Sequence, residues 1–109
     1  MKKQPRVGIY FRTNHLNNMA TLHHLEVYAK ERELEPIIFL DIDSGVEQRQ
    51  SLNHLLNQVR NQKVDIIITY SLSRFSRKTS EVSSILCEFK KFNARLILYS
   101  GQMEVAHHD

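Results

Sequence analysis

The chain is poor in the residues that staple or punctuate a small fold. Among its 109 residues there is one cysteine, Cys87, so no internal disulfide can form, and a cysteine-rich zinc site is excluded. A lone thiol fits a reducing compartment. Only 3 glycines are present, and neither G-x-G-x-x-G nor a P-loop follows the first apolar run, which argues against a nucleotide cradle. No apolar run approaches the about 20 residues of a membrane span. The opening Met1, Lys2, Lys3, Gln4 and Pro5 lack the apolar centre of a secretory signal. These features predict a soluble cytoplasmic protein without membrane contacts. His23-His24 and His107-His108 lack zinc-ligand spacing on a helix and read as surface pairs. Asp41 and Asp43 are too few for a two-metal nuclease, so neither metal nor cofactor is expected. Excess charge is lacking too: a formal net charge of +3 does not announce a nucleic-acid partner, and placement has to decide.

What is there suits one folded domain spanning residues 1–109. Hydrophobic residues make up 41% and charged ones 25%, an ordinary balance that excludes disorder. The chain is organised around Asp65 to Lys78, D-I-I-I-T-Y-S-L-S-R-F-S-R-K. Ile66, Ile67 and Ile68 read as a strand buried on both faces. A polar loop with Ser71, Ser73, Ser76, Arg74, Arg77 and Lys78 follows it. An arbitrary Arg-x-x-Arg is most often a solvated basic loop. Here it leaves the carboxyl end of a buried strand, where α/β sheets bind ligands.

Around this centre the pattern alternates. Val7 to Phe11 predicts a first strand, followed by Arg12, Thr13 and Asn14. Asn17 or Asn18 caps a helix to about Glu33, with Met19, Leu22, Leu25 and Ala29 on one face. Ile37 to Leu40 reads as a second buried strand after Pro36, leading into D-I-D-S-G and Arg49. Ser51 caps a second helix carrying Leu52, Leu55, Leu56 and Val59 at i, i+3, i+4 and i+7. Thr79 or Ser80 caps a third, with Glu81 in its first turn and Val82, Ile85, Leu86 and Phe89 as its stripe. Cys87 falls beside that stripe as a half-buried bystander. Asn93 ends the helix in the left-handed conformation. Arg95 to Tyr99 is a fourth strand, and Ser100 to Asp109 a polar tail. The order β-α-β-α-β-α-β, with crossovers long enough for parallel pairing, predicts an α/β three-layer sandwich. Its mainly parallel sheet has at least four strands and helices on both faces.

In that fold the strand ends deliver Arg12 and Asn14, then Asp41 with Ser44 and Arg49, then Arg74 and Arg77. Four arginines and a carboxylate converging from three strands describe a phosphate or phosphodiester site. Planar guanidinium forks suit phosphate oxygens and neutralise the charge that builds up in phosphoryl transfer. The aromatics do not interleave with the basic residues as a single-strand stacking platform would. A plainer reading is that Asp41, Asp43 and Asp65 hold the arginines as structural ion pairs.

The Y-F-R of Tyr10 to Arg12, the D-I-D-S-G of Asp41 to Gly45 followed by Arg49, and the L-S-R-F-S-R of Leu72 to Arg77 resemble the resolvase/invertase (serine recombinase) catalytic domain. Their order and separations match it over almost the whole chain. The resemblance implies a domain that cleaves and exchanges DNA strands through a 5′-phosphoserine link. It implies that Arg12, Arg49, Arg74 and Arg77, with Lys78 nearby, contact DNA phosphate. Asp41 would orient groups or help protonate, and Tyr10 and Ser44 would support the site. The family's serine stands two residues after the first arginine. Here that position is Asn14, whose amide cannot be the nucleophile, and His23 stands where the family commonly has glutamine. Alternation along an extended strand turns the Thr13 hydroxyl away from the arginines. The chain stops soon after its fourth strand, so the family's long dimerisation helix and carboxyl-terminal DNA-binding domain are expected to be absent. The expectation is a catalytically silent recombinase domain with double-stranded DNA as partner. The alternative is a non-catalytic module that binds DNA weakly or regulates a full-length recombinase, as a homo-oligomer or within that enzyme's oligomer.

Overall fold

Alternation along the first strand decides which helices cover which face of the sheet. The computed structural model describes residues 5–13, 19–42 and 49–99, together with the backbone of 103–105. Asn14, Asp43 and Ser44, and the Asn17 and Asn18 cap positions, lie outside the described residues. Strand β1, Val7–Thr13, points Val7, Ile9 and Phe11 at helix α1, Met19–Glu31, where they pack with Leu22, Leu25 and Ala29. Tyr10 points the other way, into a core built with Leu52, Leu55 and Val59 of α2, Gln50–Arg60, and with Ile85 and Phe89 of α3, Thr79–Lys91. One helix on one face and two on the other give the expected three layers. Gly8 also belongs to the second face. A methyl group there would lie 3.0 Å from the Phe39 ring and 3.2 Å from Leu55, so a larger residue would oblige those side chains to give way by a few tenths of an ångström.

The sheet runs β2-β1-β3-β4-β5, with β2 Pro36–Ile42, β3 Ile66–Thr69, β4 Arg95–Leu98 and β5 Met103–Val105. The first four strands are parallel, with Ile9 beside Ile38 and Ile68, and Ile68 beside Ile97. Strand β3 is buried along its length, as the isoleucine run predicts. The chain steps from β1 outward to β2 and then back across to β3, so the strand order reverses between β1 and β3. No helix among the described residues is long and apolar enough to cross a membrane.

The structure corrects several expectations. β2 is an edge strand, not a buried one: Ile37 and Ile42 remain 54% and 44% exposed, because β1 is its one neighbouring strand among the described residues. The segment read as a polar tail contributes β5, which pairs antiparallel with β4 through Leu96 and Val105. Three residues are too short for a periodicity signal, and β4's available edge supplies the pairing. Cys87 is exposed, just off the stripe where Ile85 and Phe89 are buried. Arg49, not Ser51, precedes α2, and Lys78, not Thr79 or Ser80, precedes α3; neither caps with its side chain.

With so few glycines, all three α-helices among the described residues stop on ordinary residues held in the left-handed region: Glu33 (φ 59°), Gln62 (φ 58°) and Asn93 (φ 60°). Each end carries the same pair of reverse bonds, for example Gln62 N–H to Val59 O at 2.9 Å and Lys63 N–H to Gln58 O at 2.8 Å. Only Asn93 is a residue type that announces this. Gln62 is exposed, so a glycine there relieves backbone strain and loses little packing. We expect Gln62→Gly to stabilise by about 0.5–1 kcal/mol after the entropy cost of glycine is counted. Thermal unfolding followed by circular dichroism should show the midpoint rising by about 2–8 °C. A fall would mean that the Gln62 side chain contributes more than its exposure suggests.

Candidate functional site

The carboxyl ends of β1, β2 and β3 meet around a buried carboxylate. Asp41 lies beside Arg12 in the β1–β2 register and is 5% exposed. Its Oδ2 accepts the Tyr10 phenol at 2.8 Å and the Leu52 N–H at 3.0 Å, while Oδ1 accepts the Ser51 N–H at 2.8 Å. Ser51 Oγ donates to Leu40 O at 2.6 Å, tying the same helix end to β2. Asp41 therefore supplies from a distance the cap that α2 lacks locally, and its charge complements the positive end of the helix. Burial pushes the Tyr10 phenol above its usual range, and the hydrogen bond and charge of Asp41 add to that. Tyr10 stays a proton donor. The stability tied to its protonated form is full below the ordinary value of 10.0 and is lost as pH rises beyond it.

The Tyr10 ring stacks on Phe75 at 5.6 Å, and Phe75 meets Phe89 edge-on at 5.6 Å. Phe75 is fully buried in the middle of the serine- and arginine-rich loop, and it pins that loop to β1 and α3. Sequence reasoning missed this anchor. Its signal was one large apolar residue in an otherwise polar stretch.

Arginines are held around this hub. Arg12 Nη2 donates to Ser73 O at 3.3 Å, and Arg74 Nη1 donates to Arg12 O at 3.0 Å. These reciprocal bonds lock the end of β1 to the turn of 3₁₀ helix, Leu72–Arg74, that follows β3. The Arg74 guanidinium lies 4.8 Å over the Phe11 ring and 5.6 Å from that of Tyr70, with its Nε buried and lacking a hydrogen-bond partner. Arg49 Nη1 donates to Glu81 Oε1 at 2.7 Å, and both Arg12 and Arg49 act electrostatically on the Tyr10 phenol. The Ser76 hydroxyl, donating at 2.5 Å, and then Arg49 hold the Glu81 carboxyl below its ordinary 4.5. The stability from this pairing is present above pH 4.5 and lost as pH falls through the lowered value.

Tyr10, Asp41, Arg12 and Arg49 thus form one neighbourhood, and Arg74 joins it through the Arg12 carbonyl. Arg77 is exposed and lines a shallow groove with Leu72, Ser73, Ser76, Thr79 and Val82. Lys78 is exposed beside it, its N–H bonded to Ser76 Oγ at 3.0 Å. Arg49 lines a different groove, between α2 and α3. Asn14 and Ser44 are outside the described residues. Asp65 pairs with Arg6 at the opposite end of the sheet, its Oδ2 accepting the Arg6 N–H at 2.8 Å. It takes no part in holding the site arginines.

The family model described as "Resolvase, N terminal domain" matches residues 11–108. The chain belongs to the resolvase N-terminal domain family. It is a serine recombinase catalytic domain in sequence family and in fold. It is similar to a resolvase family site-specific recombinase from Streptococcus pneumoniae, at 19% identity and TM-score 0.83, covering 97% of this chain and 79% of the other. The N-terminal catalytic domain of TP901-1 integrase superposes with TM-score 0.72 at 19% identity, covering 91% and 80%. A serine recombinase from Sulfolobus solfataricus does so with TM-score 0.67 at 18% identity, covering 97% and 71%. No protein of curated function matches the sequence.

The hub makes a direct stability claim. Asp41→Ala strands two helix N–H groups and a buried phenol, and should cost about 3 kcal/mol or more. Asp41→Asn keeps one acceptor and should cost about half as much. Urea unfolding measures both, and an alanine variant within about 1 kcal/mol of the parent would contradict the capping role.

Proposed function

We propose that this resolvase-family domain receives the phosphodiester backbone of double-stranded DNA at the carboxyl edge of its sheet. With Asn14 at the nucleophile position, it does not cleave that backbone. The observation that carries this reading is the Arg12–Arg74 interlock at the ends of β1 and β3, where the strand order reverses and open α/β sheets place ligands. A buried guanidinium nitrogen without a hydrogen-bond partner, Arg74 Nε, sits in that interlock.

In this role Arg12, Arg49, Arg74 and Arg77 contact non-bridging phosphate oxygens, with Lys78 adding charge at the rim. Asp41 and Tyr10 act through position: they fix the end of β1 and the start of α2, from which Arg12 and Arg49 project. Ser44 and Asn14 complete the site on the family's pattern. The family's step is attack of a serine oxygen on phosphorus, with release of the 3′-hydroxyl. Arginines that stabilise the five-coordinate state cannot supply the attacking oxygen. A non-cleaving domain of this kind acts by occupying DNA, or by entering the oligomer of a cleaving relative.

Incubated with supercoiled DNA, the chain should give no covalent protein–DNA adduct on denaturing gels. Asn14→Ser, which restores the missing alcohol, should give one. An adduct formed by the unaltered chain would overturn the reading.

Binding to a DNA duplex should be weak, with a Kd of about 10⁻⁴ to 10⁻⁶ M, and it should weaken as salt rises. Arg77→Gln removes one phosphate contact and should flatten the log–log salt dependence by about one unit. Fluorescence anisotropy at several salt concentrations tests this, and salt-insensitive binding would refute the contact model.

A further inference from the structure

One arginine of the proposed phosphate edge already holds an anion. Arg49 Nη1 lies 2.7 Å from Glu81 Oε1, a distance at which a phosphate oxygen would also bind it. The Arg49 side chain is 16% exposed and that of Glu81 44%, so the carboxylate reaches in from solvent while the guanidinium is largely enclosed.

Glu81 does not hold Arg49 unaided. Ser76 Oγ accepts the Lys78 N–H at 3.0 Å, which leaves its proton free to be donated to Glu81 Oε1, and it is donated there at 2.5 Å. Ser76 is 2% exposed and lies between Arg74 and Arg77. The loop that carries two of the proposed phosphate-binding arginines thus also aims a carboxylate at a third. α2 does not need the ion pair for its cap, because Asp41 provides that. Beside the pair is an open groove of about 540 Å³, lined by Arg49, Asn53, Ser80, Glu81 and Ser84 among others, into which a displaced carboxylate can turn.

We propose that Glu81 is a built-in competitor for phosphate, occupying Arg49 in the free domain and displaced from it when a DNA phosphodiester arrives. This rests on the arginine edge being a phosphate site, and adds its regulation. In the free domain Arg49 is neutralised and Ser76 holds the latch. In the complex Arg49 turns its guanidinium to a phosphate oxygen, and Glu81 is released to water. The exchange swaps one charge-assisted hydrogen bond for another, and the half-exposed carboxylate is cheap to return to solvent. The latch lowers affinity for isolated phosphates more than for a duplex that engages several arginines together.

The test is duplex binding by anisotropy, with a DNA duplex of arbitrary sequence, in a double-mutant cycle on the full chain. Glu81→Gln keeps the shape and the Ser76 contact but removes the charge. It should tighten binding about three- to tenfold and steepen the salt dependence by about one unit. Arg49→Gln, which removes a proposed phosphate contact, should weaken binding in both backgrounds, and by more in the Glu81→Gln background than in the parent, so that the gain from Glu81→Gln is lost. Ser76→Ala, which releases the aim of the carboxylate, should give a smaller gain in the same direction, and serves if Glu81→Gln fails to fold. If neither variant binds more tightly than the parent while Arg77→Gln still weakens binding, the latch is wrong and the phosphate edge stands. If parent and variants alike ignore the duplex, the phosphate edge fails and the latch with it.

Discussion

A buried carboxylate bonded to a phenol and two helix amides is the constraint on which this architecture turns. Asp41 comes from an edge strand, Tyr10 from the strand beside it, and Ser51 and Leu52 from the first turn of α2. A charge that deeply buried is costly unless its lone pairs are filled, and here three donors fill them. The same bonds fix where β1 ends and where α2 begins. Those are the two points from which Arg12 and Arg49 leave the framework. Stability and site geometry are therefore one interaction, and the hub cannot be loosened without moving the arginines.

Guanidinium groups gathered at one sheet edge repel one another, and the domain relieves this with what it has. Arg12 and Arg74 bond to main-chain carbonyls, Arg74 also lies over aromatic rings, and Arg49 takes a carboxylate. These partners differ in how firmly they hold. A carbonyl at the end of a strand cannot leave, whereas a half-exposed glutamate can. The edge is thus graded: two arginines are set by the backbone, a third is set by a side chain, and Arg77 stands in solvent.

Much of this was legible in the letters, for physical reasons. Runs such as Ile66 to Ile68 and the leucine spacing of α2 report burial directly, and from them the layer order followed. Strand ends sharing one edge predict that Arg12, Asp41, Arg49, Arg74 and Arg77 meet. The first four do, whereas Arg77 stands exposed in a separate groove. Tyr10 is named only through the family resemblance. Partners were less legible. Nothing in the sequence says that Asp41 would cap a helix ten residues away, or that Glu81, read as a helix-dipole residue, would reach Arg49 on another helix. Edge position is likewise a property of strand order: Ile37 and Ile42 look as buried as Ile66 until β2 is seen at the rim. The left-handed ends at Glu33 and Gln62 were hidden because neither residue type announces that conformation.

The proposed reading puts an amide at the nucleophile position, and the pleat of β1 bears on whether the neighbouring Thr13 hydroxyl stands in for the missing alcohol. Thr13 pairs with Ile42 on the face of Phe11, and it is 3% exposed. Arg12, one residue earlier, belongs to the opposite face with Tyr10 and Asp41. In a pleated strand a shift of one residue carries a side chain through the sheet, so Thr13 points away from Arg12, to the face where Arg74 lies over the Phe11 ring. The hydroxyls of Ser71 and Ser73, on the loop that carries Arg74, are hydrogen-bonded to each other at 2.8 Å. In the proposed reading, the arginine edge binds and polarises a phosphodiester that the domain does not break.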